Sequence, residues 1–433
     1  MSIREQAHQM KLDSNRMAAV SNTERNAALA AAKEAILAHS KEIFEANHRD
    51  LEAAEENGVS PSVMKRLKFD EGKLADVTAG IDQLISLPDP IGRKLLSREL
   101  DEGLSLYRVS VPIGVIGVIF EARPDALVQI STLCIKSGNC AILKGGKETA
   151  NTNRILFRVI YEAVTAAGMP EGCLMQAESH SQIDELLQCD KDVDLLIPRG
   201  SNAFVRYIMD HTKIPVMGHA DGVCHIYVDK DADLARAIPI VLDAKTQYTA
   251  ACNAVETILV HRGIASEFLP VLAKSFAEAG VSLRGNYEVL DILSSVESEN
   301  IDRQPMEEED FHTEYLALTA SAKIVSGVEE AVTHINTFGS HHTDAILTEN
   351  ADTAEYFMQR VDSAGVYQNC STRFADGFRY GFGAEVGIST SKIHARGPVG
   401  LDGLVTYKYR LYGHGQIVGD YASGKSQFHF KDI

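Results

Sequence analysis

Cys252 lies among small residues, in the segment QYTAACNAVETILVH, directly before an apolar stretch. Ala250, Ala251 and Ala254 leave room for a substrate to approach its sulfur. An accessible cysteine whose surroundings favour the thiolate is a strong nucleophile for acyl transfer. A single cysteine is more often a small buried apolar residue. The residue types therefore permit both a nucleophile and a structural cysteine.

Two glycine turns in the first half of the chain could hold phosphate groups. They are LKGGKE at 143–148 and PRGS at 198–201, and each lies between a short apolar segment and a helical one. In an open parallel sheet, ligands bind at the carboxyl ends of strands, where a following helix N-terminus attracts phosphate. Neither turn matches Gly-x-Gly-x-x-Gly or a P-loop. A nucleotide site of another type is indicated, with ordinary turn formation as the alternative.

A polar, glycine-rich segment at 368–387, QNCSTRFADGFRYGFGAEVG, offers donors suited to a carboxylate or a phosphate. Two more arginines lie beside prolines, in EARPDA and ARGPVG. Surface arginines commonly form weak ion pairs with carboxylates, which is the alternative for each of them. The candidate anion-binding residues are Asn369, Ser371, Thr372, Arg373, Arg396 and Arg123.

The composition excludes several classes of protein. The 433 residues are 45 % hydrophobic and 24 % charged, which is typical of a soluble globular protein with two or three domains. The formal charge of −18 argues against nonspecific binding to nucleic acid. The N-terminal segment has no apolar region of a signal peptide, and the most apolar stretch, 109–120, is shorter than the roughly 20 residues of a membrane span. We therefore expect a cytoplasmic protein with no membrane contact.

The histidines and cysteines show no metal-ligand spacing. Fifteen histidines include the pair His341-His342 and the stretch from His219 to His225, but no His-Glu-x-x-His motif occurs. The seven cysteines form no Cys-x-x-Cys pair. We expect neither a metal site nor a disulfide framework.

Alternating strand and helix patterns predict the elements that position these residues. VIGVIF, NCAILK and DVDLLIP are typical of buried strands separated by helices, and the alternation resumes after residue 222 with CHIYVD. Such a pattern indicates right-handed βαβ units and parallel sheets. Residues 15–58 and 61–86 are each predicted as helix, 95–114 as a hairpin with Gly103 at its turn, and YKYRLYGHGQIVGDYA as strand.

Several long segments resemble the γ-glutamyl phosphate reductase family of the aldehyde dehydrogenase superfamily. The likeness covers about residues 5–415 and is carried, in order, by VPIGVIGVIFEARPDALVQI, GNCAILKGGKE, LLIPRGS, PVMGHADGVCHIYVD, AACNAVETILVH and GAEVGISTSKIHARGPVGLDGL. The resemblance implies an α/β, aldehyde dehydrogenase-like fold of two doubly wound parallel-sheet domains plus a small oligomerisation hairpin and tail. We assign 1–97 and 112–221 to a cofactor-binding domain, 222–400 to a catalytic domain, and 98–111 and 401–433 to the hairpin and tail.

The resemblance also implies roles for individual residues. Cys252 falls on the nucleophile of the superfamily, and Glu314, in FHTEY, matches the glutamate that holds the nicotinamide ribose. The family implies NADP(H) as cofactor, and the positive charges of Lys144 and Lys147 are compatible with its 2′-phosphate. The expected cofactor-binding set is Lys144, Gly145, Lys147, Glu148, Gly200, Ser201 and Glu314.

Two departures from the superfamily pattern bear on the chemistry. Aldehyde-oxidising members have a glutamate near the position of Gly218–His219 that activates water, and VMGHADG contains none. This difference favours an acyl phosphate over hydrolysis. The asparagine that helps to hold the oxyanion is replaced in EARPD, where Ala122 or Arg123 aligns. The Cys252 N–H and Arg123 are therefore our candidates for that role.

Taken with these residues, the resemblance implies reduction of γ-L-glutamyl 5-phosphate to L-glutamate 5-semialdehyde by NADPH, with release of phosphate. This is the second step of proline biosynthesis from glutamate. Arg123, Arg373 and Arg396 are candidates for the phosphate and the α-carboxylate of the substrate, with Arg373 ranked first, and Asp125 or Glu385 for its ammonium group.

Three other functions stay open at this point. An acylating dehydrogenase that acts on an acyl-CoA would use the same cysteine, a metal hydrolase would use the histidines, and a noncatalytic protein would keep only ligand binding. The chain contains no kinase domain, so a separate glutamate 5-kinase is the expected source of the substrate. The family further implies a homodimer or a dimer of dimers.

Overall fold

The computed structural model describes residues 2–59, 61–121, 123–178, 181–218, 221–302, 304–392 and 394–433. The chain divides into two compact units. The first comprises Met1–Gly218, Phe382–Gly387 and Val399–Ile433, and the second comprises His219–Gly381 and Ile388–Pro398. The first boundary thus lies three residues before the predicted one, and the hairpin and tail belong to the first unit.

Helices and strands alternate along most of the chain. The helices are α1 (Ile3–Met17), α2 (Asn22–Ala38), α3 (Ser40–Glu56), α4 (Pro61–Leu67), α5 (Glu71–Ser86), α6 (Pro124–Lys136), α7 (Ala150–Ala166), α8 (Ser181–Leu187), α9 (Asn202–His211), α10 (Leu234–Thr246), α11 (Ala265–Glu278), α12 (Tyr287–Ile292), α13 (Val328–Phe338), α14 (Ala351–Arg360) and α15 (Val418–Ala422). The strands are β1 (Lys94–Asp101), β2 (Leu104–Pro112), β3 (Val115–Phe120), β4 (Cys140–Lys144), β5 (Leu174–Ala177), β6 (Leu195–Arg199), β7 (Cys224–Val228), β8 (Val255–His261), β9 (Ser282–Gly285), β10 (Thr319–Val325), β11 (Thr343–Leu347), β12 (Gly365–Gln368), β13 (Gly387–Ser389), β14 (Gly397–Val399), β15 (Val405–Tyr412) and β16 (Lys431–Asp432).

The first unit contains a parallel sheet of strand order β5-β4-β3-β6. Every residue of β3 and β4 is buried, as expected for continuous Val, Ile and Leu runs in a sheet that is covered on both faces. The register pairs Ile119 with Lys144 and Phe120 with Arg199. The turns that follow β3, β4 and β6 therefore begin at one edge of the sheet, and both glycine turns follow strands as predicted.

The second unit contains a parallel sheet of strand order β12-β11-β7-β8-β10-β9. Phe268, Leu272 and Phe276 of α11 belong to the same buried apolar cluster as Ile258 and the other inward-facing residues of β8. Because β7 lies between β11 and β8, the residues that precede these three strands share the amino edge of the sheet. Two parallel α/β sheets confirm the predicted fold class.

The predicted hairpin is confirmed, and it runs from Lys94 to Pro112 where the sequence predicts 95–114. β1 and β2 pair antiparallel, and Gly103 turns between them with a φ of +72°, a conformation that favours glycine. β15 and β16 extend the hairpin to a sheet of order β15-β2-β1-β16, which we call the arm. The prediction of strand for all of YKYRLYGHGQIVGDYA is wrong, because only its first part belongs to β15, and turns and α15 follow.

The prediction of one continuous helix over 15–58 is wrong. α1 ends at Met17, and α2 begins after Ser21, whose hydroxyl accepts the Glu24 N–H while the Glu24 carboxylate accepts the Ser21 N–H. Such a capping box fixes a helix start, because it satisfies two backbone donors that the first turn leaves open. α2 and α3 separate at His39.

The stretch 61–86 is likewise divided, with Asp70 as the N-cap of α5. None of the described helices combines the length and the apolar character that crossing a membrane requires.

Candidate active site

Cys252 lies three residues before β8 and is half-buried. Its backbone carbonyl accepts a hydrogen bond from the Cys224 thiol at 3.3 Å. The adjacent Asn253 carbonyl accepts the Thr372 hydroxyl at 2.7 Å. A Cβ on Gly222 would lie 2.2 Å from the Cys252 carbonyl oxygen, so only glycine allows this close approach. These contacts hold the cysteine at the amino edge of the sheet.

His342 contacts the sulfur of this cysteine. Its Nε2 lies 3.1 Å from Cys252 Sγ, and its Nδ1 lies 2.9 Å from Thr343 Oγ1. The imidazole is almost fully buried, at 1 % exposure. The sequence does not predict this contact, because His342 stands out there only in a histidine pair without metal-ligand spacing. The available signal was positional, because both residues directly precede short apolar strands.

Arg373 is a buried, positively charged side chain in the same unit as Cys252. Its Nε donates to Gln247 Oε1 at 2.9 Å, and its guanidinium lies 6.0 Å from the centre of the Tyr248 ring. Burial and then the neighbouring Arg379 lower the pKa of Arg373, whereas the Cys252 side chain acts in the opposite direction. Arg373 is therefore within electrostatic reach of the sulfur, and an arginine stays protonated despite such a shift.

The other predicted donors of segment 368–387 make structural contacts. Asn369 has a φ of +52°, and its side chain bonds both the N–H and the carbonyl of Thr348. Ser371 Oγ accepts the Arg373 N–H, and the Thr372 hydroxyl donates to the Asn253 carbonyl beside Cys252. The structure thus brings Arg373 and Thr372 to the cysteine, while Asn369 lies beside Thr348. Substrate contacts by these residues stay predictions.

Arg396 forms an ion pair with Asp362, at 3.2 Å, and Lys392 contacts the same carboxylate. The first unit contains the remaining substrate candidates. Arg123 is exposed at the N-cap of α6, and Asp125 lies 3.4 Å from Lys73 Nζ. Glu385 is half-buried. Ala122 and His219, which carried the two departures from the superfamily pattern, lie outside the described residues.

Lys245 and Glu256 form a fully buried ion pair in the second unit, with Nζ and Oε2 2.6 Å apart. Burial raises the pKa of Glu256 to about 7, and the negative charge of Glu314 adds to that rise. Glu314 is itself half-buried. The structure therefore places Glu314 within electrostatic range of this pair, and its contact with a nicotinamide ribose stays a prediction.

The glycine turns of the first unit bring together three charged side chains. Lys144 is buried, its Nζ donates to the Gly145 carbonyl at 2.5 Å, and burial lowers its pKa against the opposing effects of Glu148 and Glu121. The Glu121 carboxylate accepts the Ser201 N–H at 3.3 Å.

Glycine is needed in both turns. A Cβ on Gly146 would lie 2.1 Å from the Glu148 carboxylate, and one on Gly200 would lie 2.8 Å from that of Glu121. Lys144, Glu148, Gly200 and Ser201 thus lie together, with Gly145 in the same turn, whereas Lys147 is exposed. Cofactor contacts by these residues stay predictions. Glu121 is a member of this cluster that the sequence prediction missed.

No group of three or more His, Cys, Asp or Glu side chains among the described residues could hold a metal ion. The described cysteines are all free thiols, and five of the seven are buried. The second unit brings together a held cysteine, an imidazole in contact with it and a buried guanidinium.

Comparison with known proteins agrees with this fold. The profile of the aldehyde dehydrogenase family matches residues 2–289, which defines the class as an oxidoreductase that uses a nicotinamide cofactor. The chain is 55 % identical over 428 residues to the gamma-glutamyl phosphate reductase of Ruminiclostridium cellulolyticum, covering 99 % of this chain and 97 % of that one. It is 54 % identical to that of Acetivibrio thermocellus, with the same coverage.

A solved structure is also similar over nearly the whole chain. The gamma-glutamyl phosphate reductase of Thermotoga maritima shares 38 % identity and a TM-score of 0.92, covering 96 % of this chain and all of that one. The chain belongs to the gamma-glutamyl phosphate reductase family.

Proposed function

We propose that this chain reduces γ-L-glutamyl 5-phosphate to L-glutamate 5-semialdehyde with NADPH and releases phosphate. The observation that carries the proposal is the half-buried Cys252, held at the edge of its sheet within electrostatic reach of the buried Arg373. The names of the near full-length relatives support the choice of substrate.

Cys252 acts as the nucleophile in this proposal. Its thiolate attacks the γ-carbonyl carbon, the bond from that carbon to the phosphate oxygen breaks, and phosphate leaves with the electron pair. Bound NADPH supplies the hydride that reduces the resulting thioester to a hemithioacetal. The carbon–sulfur bond of the hemithioacetal then breaks, which releases the aldehyde and regenerates the cysteine.

Two groups are suited to the charges of the substrate. The terminal nitrogens of Arg373 donate to no described residue, so they are available for the phosphate or the α-carboxylate. The Cys252 N–H likewise has no acceptor in the described parts of the chain, which supports its role as an oxyanion donor. Arg123 remains the second candidate for the oxyanion.

The turns of the first unit fit a dinucleotide cofactor. Glycines at 146 and 200 let the Glu148 and Glu121 carboxylates approach the backbone of the two turns. The Lys144 ammonium and the Glu148 carboxylate are suited to ribose hydroxyls. α9 begins directly after Ser201, and a helix N-terminus favours a pyrophosphate. Gly145 and Gly200 would border the cofactor, Lys147 would favour a 2′-phosphate, and Glu314 would hold the nicotinamide ribose.

We propose that phosphate, and not water, cleaves the thioester of the acyl enzyme in the reverse reaction, because VMGHADG has no glutamate to activate water. The reverse reaction tests this directly with the intact chain. Glutamate 5-semialdehyde is supplied with NADP⁺ or NAD⁺, and with phosphate, coenzyme A or neither, while reduced cofactor is followed by absorbance.

We expect turnover that requires phosphate and is faster with NADP⁺. Turnover without phosphate would instead identify a hydrolytic aldehyde dehydrogenase. Turnover that requires coenzyme A would identify the acylating alternative.

The reaction would be the second step of proline biosynthesis from glutamate, in the cytoplasm. The acyl phosphate would come from a separate glutamate 5-kinase. We also propose that the arm, made of the hairpin and the tail, joins copies of the chain into a homodimer or a dimer of dimers.

A further inference from the structure

We infer that His342 is the catalytic acid–base partner of Cys252. The contact between Nε2 and Sγ, at 3.1 Å, joins residues 90 positions apart in the chain and brings the imidazole to the reacting atom itself. The role in turnover rests on the proposed function, whereas activation of the thiol in the free protein does not.

The sheet holds the two side chains in this position. His342 directly precedes β11, and its carbonyl accepts the Gly365 N–H at 2.9 Å. Cys252 is tied to β7 through the Cys224 thiol. β7 and β11 are neighbours in the sheet and pair Ile226 with Ala345. Strand pairing therefore positions His342, and the contact with Cys224 positions the turn that carries Cys252.

Two charged side chains near the pair are Arg373 and Asp344. Arg373 is within electrostatic reach of the Cys252 sulfur, and a nearby positive charge stabilises a thiolate. The nearest acidic residue in sequence, Asp344, has both carboxylate oxygens engaged by His225 and Ser363. The neighbouring His341 contacts the Asp362 carbonyl, 2.6 Å from its Nδ1.

The proton balance of the reaction gives His342 two tasks. Nε2 first takes the Sγ proton, so that the thiolate can form the bond to the acyl carbon while phosphate departs. After hydride addition, the imidazolium donates that proton to the hemithioacetal oxyanion. When the carbon–sulfur bond breaks, the hydroxyl proton returns to Nε2 and the aldehyde leaves. The Cys252 thiolate and the His342 imidazolium are then ready for the next turnover.

Alkylation of the free protein by iodoacetamide separates this role from a structural one. The rates at Cys252 and Cys370 are measured by peptide mass spectrometry in the wild type, in His342→Gln and in His341→Gln. Glutamine at 342 can keep a hydrogen bond but cannot take the proton. Cys370 is the internal standard, because it is also half-buried and burial raises the pKa of its thiol.

We expect alkylation of Cys252 at about pH 7 to slow about tenfold or more in His342→Gln, because an unassisted thiol is only a few per cent ionised there. The difference should vanish near about pH 10, where the thiol ionises without help. Cys370 and the His341→Gln protein should react as in the wild type.

An unchanged rate at neutral pH would overturn the inference. An equal loss at both pH values would also overturn it, because that result indicates altered access to the sulfur. Since no substrate is present, a failure of the proposed function would appear only in the reverse assay, with alkylation still dependent on His342.

Discussion

Lys245 and Glu256 form an ion pair in which both side chains are completely buried, with Nζ 2.6 Å from Oε2. Lys245 lies in the last turn of α10, and Glu256 is the second residue of β8. The ion pair therefore links the two segments that flank the loop carrying Cys252. Isolated buried charges are very costly, so each partner depends on the other.

Breaking this pair should destabilise the protein strongly. We expect Glu256→Gln to lower the free energy of unfolding by about 3–5 kcal/mol, because Lys245 keeps a buried charge without its partner. Urea unfolding followed by circular dichroism measures the change. The control is Lys245→Met combined with Glu256→Leu, which removes both charges and should recover most of the loss. A double variant as unstable as the single one would contradict this explanation.

His334 should make stability fall in acid. Burial lowers the pKa of His334 to about 2, so the folded state keeps the imidazole neutral. An unfolded histidine has a pKa of about 6.5 and binds one more proton than the folded one below that pH. The stability that the neutral imidazole provides is therefore complete above about pH 6.5 and is lost as the pH falls toward about 2.

The comparison variant for this effect is His334→Phe, which suits the neighbouring Phe311 and Phe338 rings. Below about pH 6, the wild type should lose about 1.4 kcal/mol of unfolding free energy per pH unit relative to the variant. Urea midpoints over a pH series measure this slope. Parallel slopes in the two proteins would show that His334 does not titrate on unfolding.

Removing Arg373 should weaken substrate binding. A charge-assisted hydrogen bond contributes about 1.5–3 kcal/mol, so Arg373→Ala should lower kcat/KM by about 10- to 100-fold. Arg373→Lys should restore only part of it, since lysine lacks the planar fork. Steady-state kinetics with glutamate 5-semialdehyde, NADP⁺ and phosphate measure both variants. Arg360→Ala, at an exposed position of α14, is the control and should act as the wild type.

The arm offers a surface for a second copy of the chain. Tyr407, Tyr409 and Leu411 of β15 are 50 %, 58 % and 55 % exposed, and β15 is the edge strand of its sheet. Exposed edges of this kind pair readily with another chain. We expect a dimer or larger assembly in light scattering and a shift to monomer in Tyr409→Lys combined with Leu411→Lys. A monomeric wild type would contradict this role of the arm.

The sequence was sufficient for features that depend on local pattern. The apolar runs VIGVIF and NCAIL predicted buried parallel strands, and the LKGGKE and PRGS turns follow strands at one edge of the sheet. The helix breaks near Ser21 and Asp70 were missed because capping, rather than apolar periodicity, sets them.

The contact between Cys252 and His342 could not be predicted from either segment alone. It depends on the strand order β11-β7-β8, which brings two segments 90 residues apart to one edge of the sheet. An ion pair was the alternative for Arg396, but its partner, Asp362, could not be predicted from the local segment.

The central claim is that Cys252 carries the glutamyl group during the reaction. The most direct test mixes the intact chain with glutamate 5-semialdehyde and NADP⁺ without phosphate, quenches in acid and maps the peptides by mass spectrometry. We predict one reduced cofactor per active site and a γ-glutamyl group on the Cys252 peptide that later addition of phosphate removes. Cofactor reduction with an unmodified Cys252, or reduction that persists in Cys252→Ala, would contradict the account.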